Sequence, residues 1–124
     1  MILAIDRAWL LDIAHRNLPG DPDITDFGTL AAAVARHADQ VMDRHVYPAA
    51  HQRAAALMHQ LIRVPALEYA NELFGAVVAA AYLTVSGAIV TVDFKQAGDL
   101  AERISREALD VRRVADEIRA WVAT

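Results

Sequence analysis

Cysteine is absent from the 124 residues of the chain. This absence excludes disulfides, thiolate metal sites and a cysteine nucleophile, and it is typical of a reducing compartment. Lysine is nearly absent as well, because Lys95 is the single one and scattered arginines supply the other cations. The net charge is −4. Without a concentrated basic segment, we expect no direct contact with nucleic acid.

A basic leader followed by a long apolar run is also missing from the N-terminal residues, so we expect no cleaved signal peptide and a cytoplasmic protein. Residues 73–92 are free of formal charge over a length that could span a bilayer. However, Ser86 and Gly87 interrupt this run, and no arginine or lysine cluster flanks it. We therefore interpret most of it as a buried helix at the centre of a bundle, and expect no membrane contact.

The residues that are abundant favour helix. Alanine makes up about a fifth of the chain, 56% of the residues are hydrophobic and 23% are charged. This composition offers enough apolar surface to form a core, and the length suits one domain over residues 1–124. Alanine has the highest helix propensity, so an all-α fold is expected.

Apolar residues recur at helical spacing in six segments. These lie at residues 6–17, from 25 up to the break at Tyr47-Pro48, 50–63, 71–86, 94–104 and 110–122. Residues 88–92 are rich in β-branched side chains and could pair as a short strand with residues 1–5 or with another short segment. We predict a compact bundle of about six helices around a buried central helix, with at most a minor β element.

Three segments, in this order and spacing, carry a resemblance to a known family. They are residues 26–36, which are similar to an Asp-Pro-Gly-x-Leu-x-x-Ala helix start; Tyr47-Pro48 with residues 54–63, which are similar to a Tyr-Pro and Ala-Ala-x-Leu-x-His stretch; and residues 76–87, an apolar helix with a glycine stop. Together they resemble the Doc, or death-on-curing, branch of the Fic family of bacterial proteins over nearly the whole chain. The resemblance implies a helical Fic/Doc-like fold.

The signature of that family reads His-x-Phe-x-acid-Gly/Ala-Asn-Lys/Gly-Arg, and a match without gaps places it on residues 65–73. Two positions of the chain agree with the signature, Ala70 and Asn71. The other positions differ: the histidine is replaced by Pro65, the phenylalanine by Leu67, the acid by Tyr69, and the basic residues by Glu72 and Leu73. A shift by one residue matches Pro65 and Glu68 to a proline and an acid, but then Val64 takes the histidine position. Both registers put an apolar side chain at the position of the base.

The family chemistry explains what these replacements imply. There the histidine accepts a proton from the attacking hydroxyl, the acid holds Mg²⁺, and the next helix N-terminus with its cations binds phosphates. Proline has no titratable side chain. A carboxylate such as Glu72 at about 4 Å from a bound phosphate would be repelled by roughly 4 kcal/mol at an effective dielectric of about 20. The resemblance therefore implies a degenerate transferase without a bound cofactor, in which Glu68 could hold a metal only in the shifted register.

Other side chains suggest further sites. The histidines at positions 15, 37, 45, 51 and 59 do not follow a metal-ligand spacing, and we predict each on a solvated helix face. His59 and Arg63 share one helix face that we expect to point toward the motif loop and to line any pocket remaining there. The aromatic residues are too dispersed for base stacking. Tyr69 falls within the loop, where it could plug the former active-site cleft.

Three functional hypotheses follow. The first is a catalytically degenerate Doc-like component of a toxin–antitoxin pair that acts through protein contact, with an antitoxin-like peptide or a homo-oligomer as its partner. The second is a divergent active toxin that transfers phosphate or AMP from ATP to a protein hydroxyl, with His59 or Glu68 as the new base. The third is a structural helical subunit that associates through exposed apolar positions.

Overall fold

The computed structural model describes residues 2–123 and shows a bundle of six α-helices with a two-stranded β element. The helices are α1 (Arg7–Asn17), α2 (Phe27–His37), α3 (Ala50–Arg63), α4 (Asn71–Val85), α5 (Phe94–Glu107) and α6 (Val111–Ile118). Between α2 and α3 lie β1 (Gln40–Val41) and β2 (Arg44–His45), and a 3₁₀ turn (Arg119–Trp121) follows α6. The prediction of a helical bundle with a minor β element is confirmed.

Aspartate side chains begin four of these helices. Each carboxylate accepts a hydrogen bond from the backbone N–H three residues ahead, in the pairs Asp6 with Trp9, Asp26 with Thr29, Asp93 with Gln96, and Asp110 with Arg113. Such N-caps satisfy otherwise unpaired helix donors and contribute about 0.5–2 kcal/mol each. The starting points of α1, α2, α5 and α6 are therefore set by local sequence.

The central pair of the bundle is α3 and α4. α3 packs against α2, α4, α5 and α6, and α4 packs against α1, α3 and α5. The two helices approach closely at Gly75, where an added Cβ would lie 2.6 Å from Cγ1 of Ile62 and 3.3 Å from the carbonyl oxygen of Met58. α4 is apolar around much of its circumference because it has helices on several sides.

Within residues 2–123, no helix has the length and apolar character needed to cross a membrane. The uncharged run of the sequence is divided, because α4 ends at Val85 and Gly87 adopts a left-handed φ of +98°. The rest of the run does not form a strand, but it pairs with another short segment, which is one of the two predicted alternatives. It makes one isolated antiparallel bridge, between Val90 and Val122, and Thr91 N–H donates to the carbonyl of Trp121. Residues 2–5 are not its partner, and Met1 lies outside the described residues.

The predicted second helix is too long, since α2 ends at His37 and a β-hairpin occupies residues 40–45. Val41 and Met42 continue the apolar spacing of α2, but both are exposed, and Met42 is 92% accessible. Without a core to contact, they gain nothing from helical continuation. Met42 and Asp43 instead adopt positive φ angles of 51° and 65°, as the tight turn of a two-residue hairpin requires.

His37 is buried rather than solvated, which contradicts its predicted position on a polar face. Its side chain is only 1% exposed. Nε2 accepts the backbone N–H of Ile5 at 3.1 Å, and Nδ1 donates to the carbonyl of Val34. The ring therefore has to be neutral, with its proton on Nδ1, to hold both partners.

A second buried contact holds the same N-terminal segment. The hydroxyl of Tyr82 donates to the carbonyl of Leu3 and accepts from Nε of Arg53 at 2.6 Å. Arg53 also donates to the carbonyls of Tyr47 and Pro48, which lead into α3. Buried polar groups of α2, α3 and α4 thus attach residues 3–5 to the bundle.

We predict that His37 makes the stability of the protein depend on pH. Burial lowers the pKa of His37 below its ordinary value of 6.5, with a smaller contribution from the positive charge of Arg53. Since the unfolded chain then binds the proton at higher pH than the folded one, His37 favours folding above pH 6.5, and this contribution is lost as the pH falls. Urea unfolding should show a larger decrease between pH 8 and pH 5.5 for the wild type than for His37→Gln. Equal decreases in the two proteins would contradict this role.

We predict that Gly75→Ala destabilises the bundle by about 1–3 kcal/mol, because the added methyl group meets Ile62 and the backbone of Met58. Gly98→Ala is the matched control. No heavy atom lies within 4 Å of the Cβ that it would add on α5, so replacing this helical glycine should raise the stability by up to about 1 kcal/mol. Chemical denaturation in dilute solution measures both changes. A neutral Gly75→Ala variant would show that α3 and α4 are not tightly packed.

Candidate functional site

The candidate site is the loop of residues 64–70, which connects α3 to the N-terminus of α4. Val64 leaves the helix in an extended conformation, as expected for a residue before proline. The loop then pairs with the connection between α1 and α2: the N–H groups of Thr25 and Asp26 donate to the carbonyl of Ala66, and Glu68 N–H donates to the carbonyl of Asp23. These backbone bonds hold the loop against the bundle.

Asn71 organises the loop from its position at the start of α4. Its Oδ1 accepts the backbone N–H groups of Ala66 at 3.1 Å and Leu67 at 3.0 Å, and its Nδ2 donates to the carbonyl of Leu67 at 2.9 Å. Ala70, just before it, has a left-handed φ of 64°. One side chain thus satisfies three backbone groups in a turn of six residues, from 66 to 71.

The side chains of the loop are mostly engaged in contacts within the protein. Leu67 is buried, and Pro65 is exposed but carries no polar atom in its side chain. Oε1 of Glu68 accepts the backbone N–H of Asp23 at 2.9 Å. The carboxylate is therefore part of the contact between the two loops.

Tyr69 lies over the connection between α1 and α2. Its hydroxyl donates to the carbonyl of Pro19 at 3.3 Å, and a Cβ added at Gly20 would collide with that hydroxyl. The side chain remains 44% exposed. Tyr69 therefore covers the connection between α1 and α2 at Gly20. A glycine is required at that position because the Tyr69 hydroxyl lies close to it and because its φ is +79°.

Glu72 and Leu73 occupy the first turn of α4, and both are exposed. The helix has no side-chain N-cap, and Glu72 is the acidic residue of its first turn. A carboxylate at this position interacts favourably with the positive end of the helix dipole. The structure therefore places a negative charge, and no cation, on the first turn of α4.

His59 and Arg63 do not point toward the loop, which contradicts the expectation that they line its pocket. Nε2 of His59 donates to the carbonyl of Leu109, and Nη1 of Arg36 donates to Nδ1 of His59. Arg63 donates to the carbonyls of residues 104 and 105 near the end of α5. The sequence placed them correctly on one face of α3, but α5 and the following connection pack against that face.

The electrostatics of His59 agree with this structural role. Burial lowers the pKa of His59, and the positive charge of Arg36 lowers it further. Both ring nitrogens are engaged, and neither partner belongs to the loop. Among residues 2–123, no three side chains of the histidine, aspartate or glutamate type come close enough to hold a metal ion.

An apolar groove between α4 and α5 was not predicted. It has a volume of about 430 Å³ and is lined by Leu73, Val77, Phe94, Ala97 and Gly98, among others, with Glu72 and Asp93 at its edge. Apolar residues recur at helical spacing along α5, and Leu100, Ala101 and Ile104 lie in the core. Phe94 does not, because it is 91% exposed.

Comparison with known proteins identifies the family. No protein-family model matches the chain. The toxin Doc of Mycolicibacterium smegmatis, however, is 30% identical over 121 residues, a match that covers 96% of this chain and 93% of that toxin. This chain belongs to the Doc toxin family. The resemblance to Doc noted in the sequence is thereby confirmed, and the six-helix bundle agrees with it.

In this Doc-family protein, we predict that Asn71→Ala destabilises the fold by about 1–3 kcal/mol, because the buried backbone N–H groups of Ala66 and Leu67 lose their acceptor. Asn71→Asp is the comparison variant, since it keeps the Oδ1 acceptor but sets a carboxylate oxygen against the carbonyl of Leu67 in place of a donor. It should keep the hydrogen-exchange protection of residues 66 and 67 better than Asn71→Ala does. Urea unfolding measures the stability, and hydrogen exchange at residues 66 and 67 reports on the loop itself. Unchanged exchange in Asn71→Ala would contradict the organising role of this side chain.

Proposed function

We propose that this Doc-family protein has lost transferase activity and acts through contact with a protein, as one component of a toxin–antitoxin-type pair. The observation that carries the proposal is the composition of the loop at the start of α4. Its side chains provide backbone contacts and packing, none of them is a histidine, and the one carboxylate, that of Glu68, accepts the backbone N–H of Asp23 through Oε1. Its partner is an antitoxin-like segment or a second copy of the chain.

The missing base supports this proposal first. Pro65 stands at the histidine position of the family motif, and in the shifted register Val64 stands there; neither side chain can accept a proton. The conformation of Ala70 favours the register without gaps, because a left-handed residue directly before Asn71 corresponds to the small residue of the motif. Of the two candidate replacements, His59 is engaged through both ring nitrogens, and Glu68 holds the backbone of Asp23 through one of its two carboxylate oxygens.

The groups present do not fit ATP with Mg²⁺. Tyr69 stands at the position of the acid that would hold the metal, and Glu68, its neighbour in the sequence, uses Oε1 to accept the backbone N–H of Asp23. Glu72 would oppose phosphates at the N-terminus of α4, and Arg63 is directed to carbonyls near the end of α5. Hard cations and phosphates require free oxygen ligands and positive charge, respectively. The loop therefore offers a suitable set of ligands to neither the nucleotide nor the metal.

Isothermal titration with ATP and Mg²⁺ tests the proposal. We expect no binding in the micromolar range by the wild type. Glu72→Lys/Leu73→Arg, which restores the two basic positions of the motif, should bind more tightly, because a repulsive charge is replaced by attractive ones. Glu102→Lys makes the same charge change as Glu72→Lys at an exposed position on α5 and serves as its control.

A labelling assay with ATP on bacterial lysate provides the complementary measurement. We expect no labelled protein that depends on addition of the wild-type chain. Micromolar nucleotide binding, or a labelled target that disappears in Glu68→Gln or His59→Gln, would favour the divergent active toxin and contradict the proposal.

A further inference from the structure

The groove between α4 and α5 has an unusual neighbour in Phe94. This side chain is 91% exposed although it stands at the edge of an apolar groove of about 430 Å³. A phenylalanine gains more from burial than most side chains, so leaving it in water at an apolar surface is unfavourable. Exposed apolar surface of this kind marks sites of protein contact.

Gly98 lines the same groove four residues later, about one helical turn along α5. Glycine in the interior of a helix is destabilising relative to alanine. Within residues 2–123, no neighbouring atom requires a glycine at this position, because no heavy atom lies within 4 Å of the Cβ that an alanine would add. Gly98 leaves an open position on the same helix face as Phe94.

We propose that this face binds a second copy of the chain, with the two α5 helices packed antiparallel. In such a pair, a twofold axis near Gln96 brings Phe94 of each copy over Gly98 of the other, because positions 94 and 98 are equally distant from 96. The same surface then serves both copies, as a symmetric dimer requires. Each exposed phenylalanine fills the space that the other copy's glycine leaves open.

The charges on α5 fit the same arrangement. Lys95, the single lysine of the chain, and Asp99 are both exposed and also lie four residues apart. In the described part of the chain, neither of them takes part in an ion pair within 4.0 Å. Antiparallel packing about an axis close to the one defined by Phe94 and Gly98 places each Lys95 near Asp99 of the other copy. A parallel arrangement would place like charges side by side.

The proposed dimer rests on the proposed function, which is action through protein contact. Its test measures association and requires no nucleotide, so the dimer and the loss of transferase activity can be refuted independently. Sedimentation equilibrium over a range of protein concentrations should show a mass that rises from 13.6 kDa toward twice that value. Phe94→Ser should raise the dissociation constant at least about tenfold, as truncation of a central aromatic anchor does. Phe27→Ser, at a 53% exposed position on α2, is the matched control and should leave the association unchanged.

Charge reversal distinguishes a second copy from any other occupant. Lys95→Asp and Asp99→Lys should each weaken association, and the double variant should recover most of it, because the swapped charges again face each other only in an antiparallel pair of identical helices. Circular dichroism checks that each variant is folded. A wild type that stays at 13.6 kDa up to about 100 μM, a Phe94→Ser variant that associates normally, or a double variant without recovery would overturn the proposal.

Discussion

The close approach of α3 and α4 at Gly75 is the contact on which the rest of the structure depends. Because this glycine has no side chain, Ile62 and Met58 of α3 can pack directly against the backbone of α4. The other helices then pack around this pair. The loop of residues 64–70 connects these two helices, from the C-terminus of α3 to the N-terminus of α4.

The shape of the loop of residues 64–70 depends on a few residues at the start of α4, whereas its exposed side chains contribute little to it. Asn71 satisfies the backbone of the turn, and Ala70 takes the left-handed conformation before it. By contrast, the side chains of Pro65 and Glu72 are exposed. Folding selects the first group, because unpaired backbone donors are costly in any member of the family. Packing makes no such demand on Pro65 and Glu72, because their side chains are exposed.

Helix positions were largely predictable, but the directions of individual side chains were not. The four aspartate N-caps and the breaks at Pro48, Pro65 and Gly87 are local signals, and the structure places helix boundaries close to them. The hairpin after α2 was missed because Val41 and Met42 keep helical spacing without contacting a core. His37 was misplaced for the opposite reason: a polar side chain can be buried when its partner is the backbone of a distant segment, here Ile5.

The sequence by itself determined the all-helical class, most helix boundaries, the Doc resemblance and the identities of the residues in the loop, because these depend on neighbours along the chain. Only the tertiary structure decided that His59 and Arg63 bind backbone carbonyls on the α5 side of the bundle. It also decided that Tyr69 covers the connection between α1 and α2 at Gly20, and that Phe94 lies in solvent beside a groove. These outcomes depend on which helix packs against each face. Helical periodicity shows that a face is apolar or polar, but it does not identify the element that covers it.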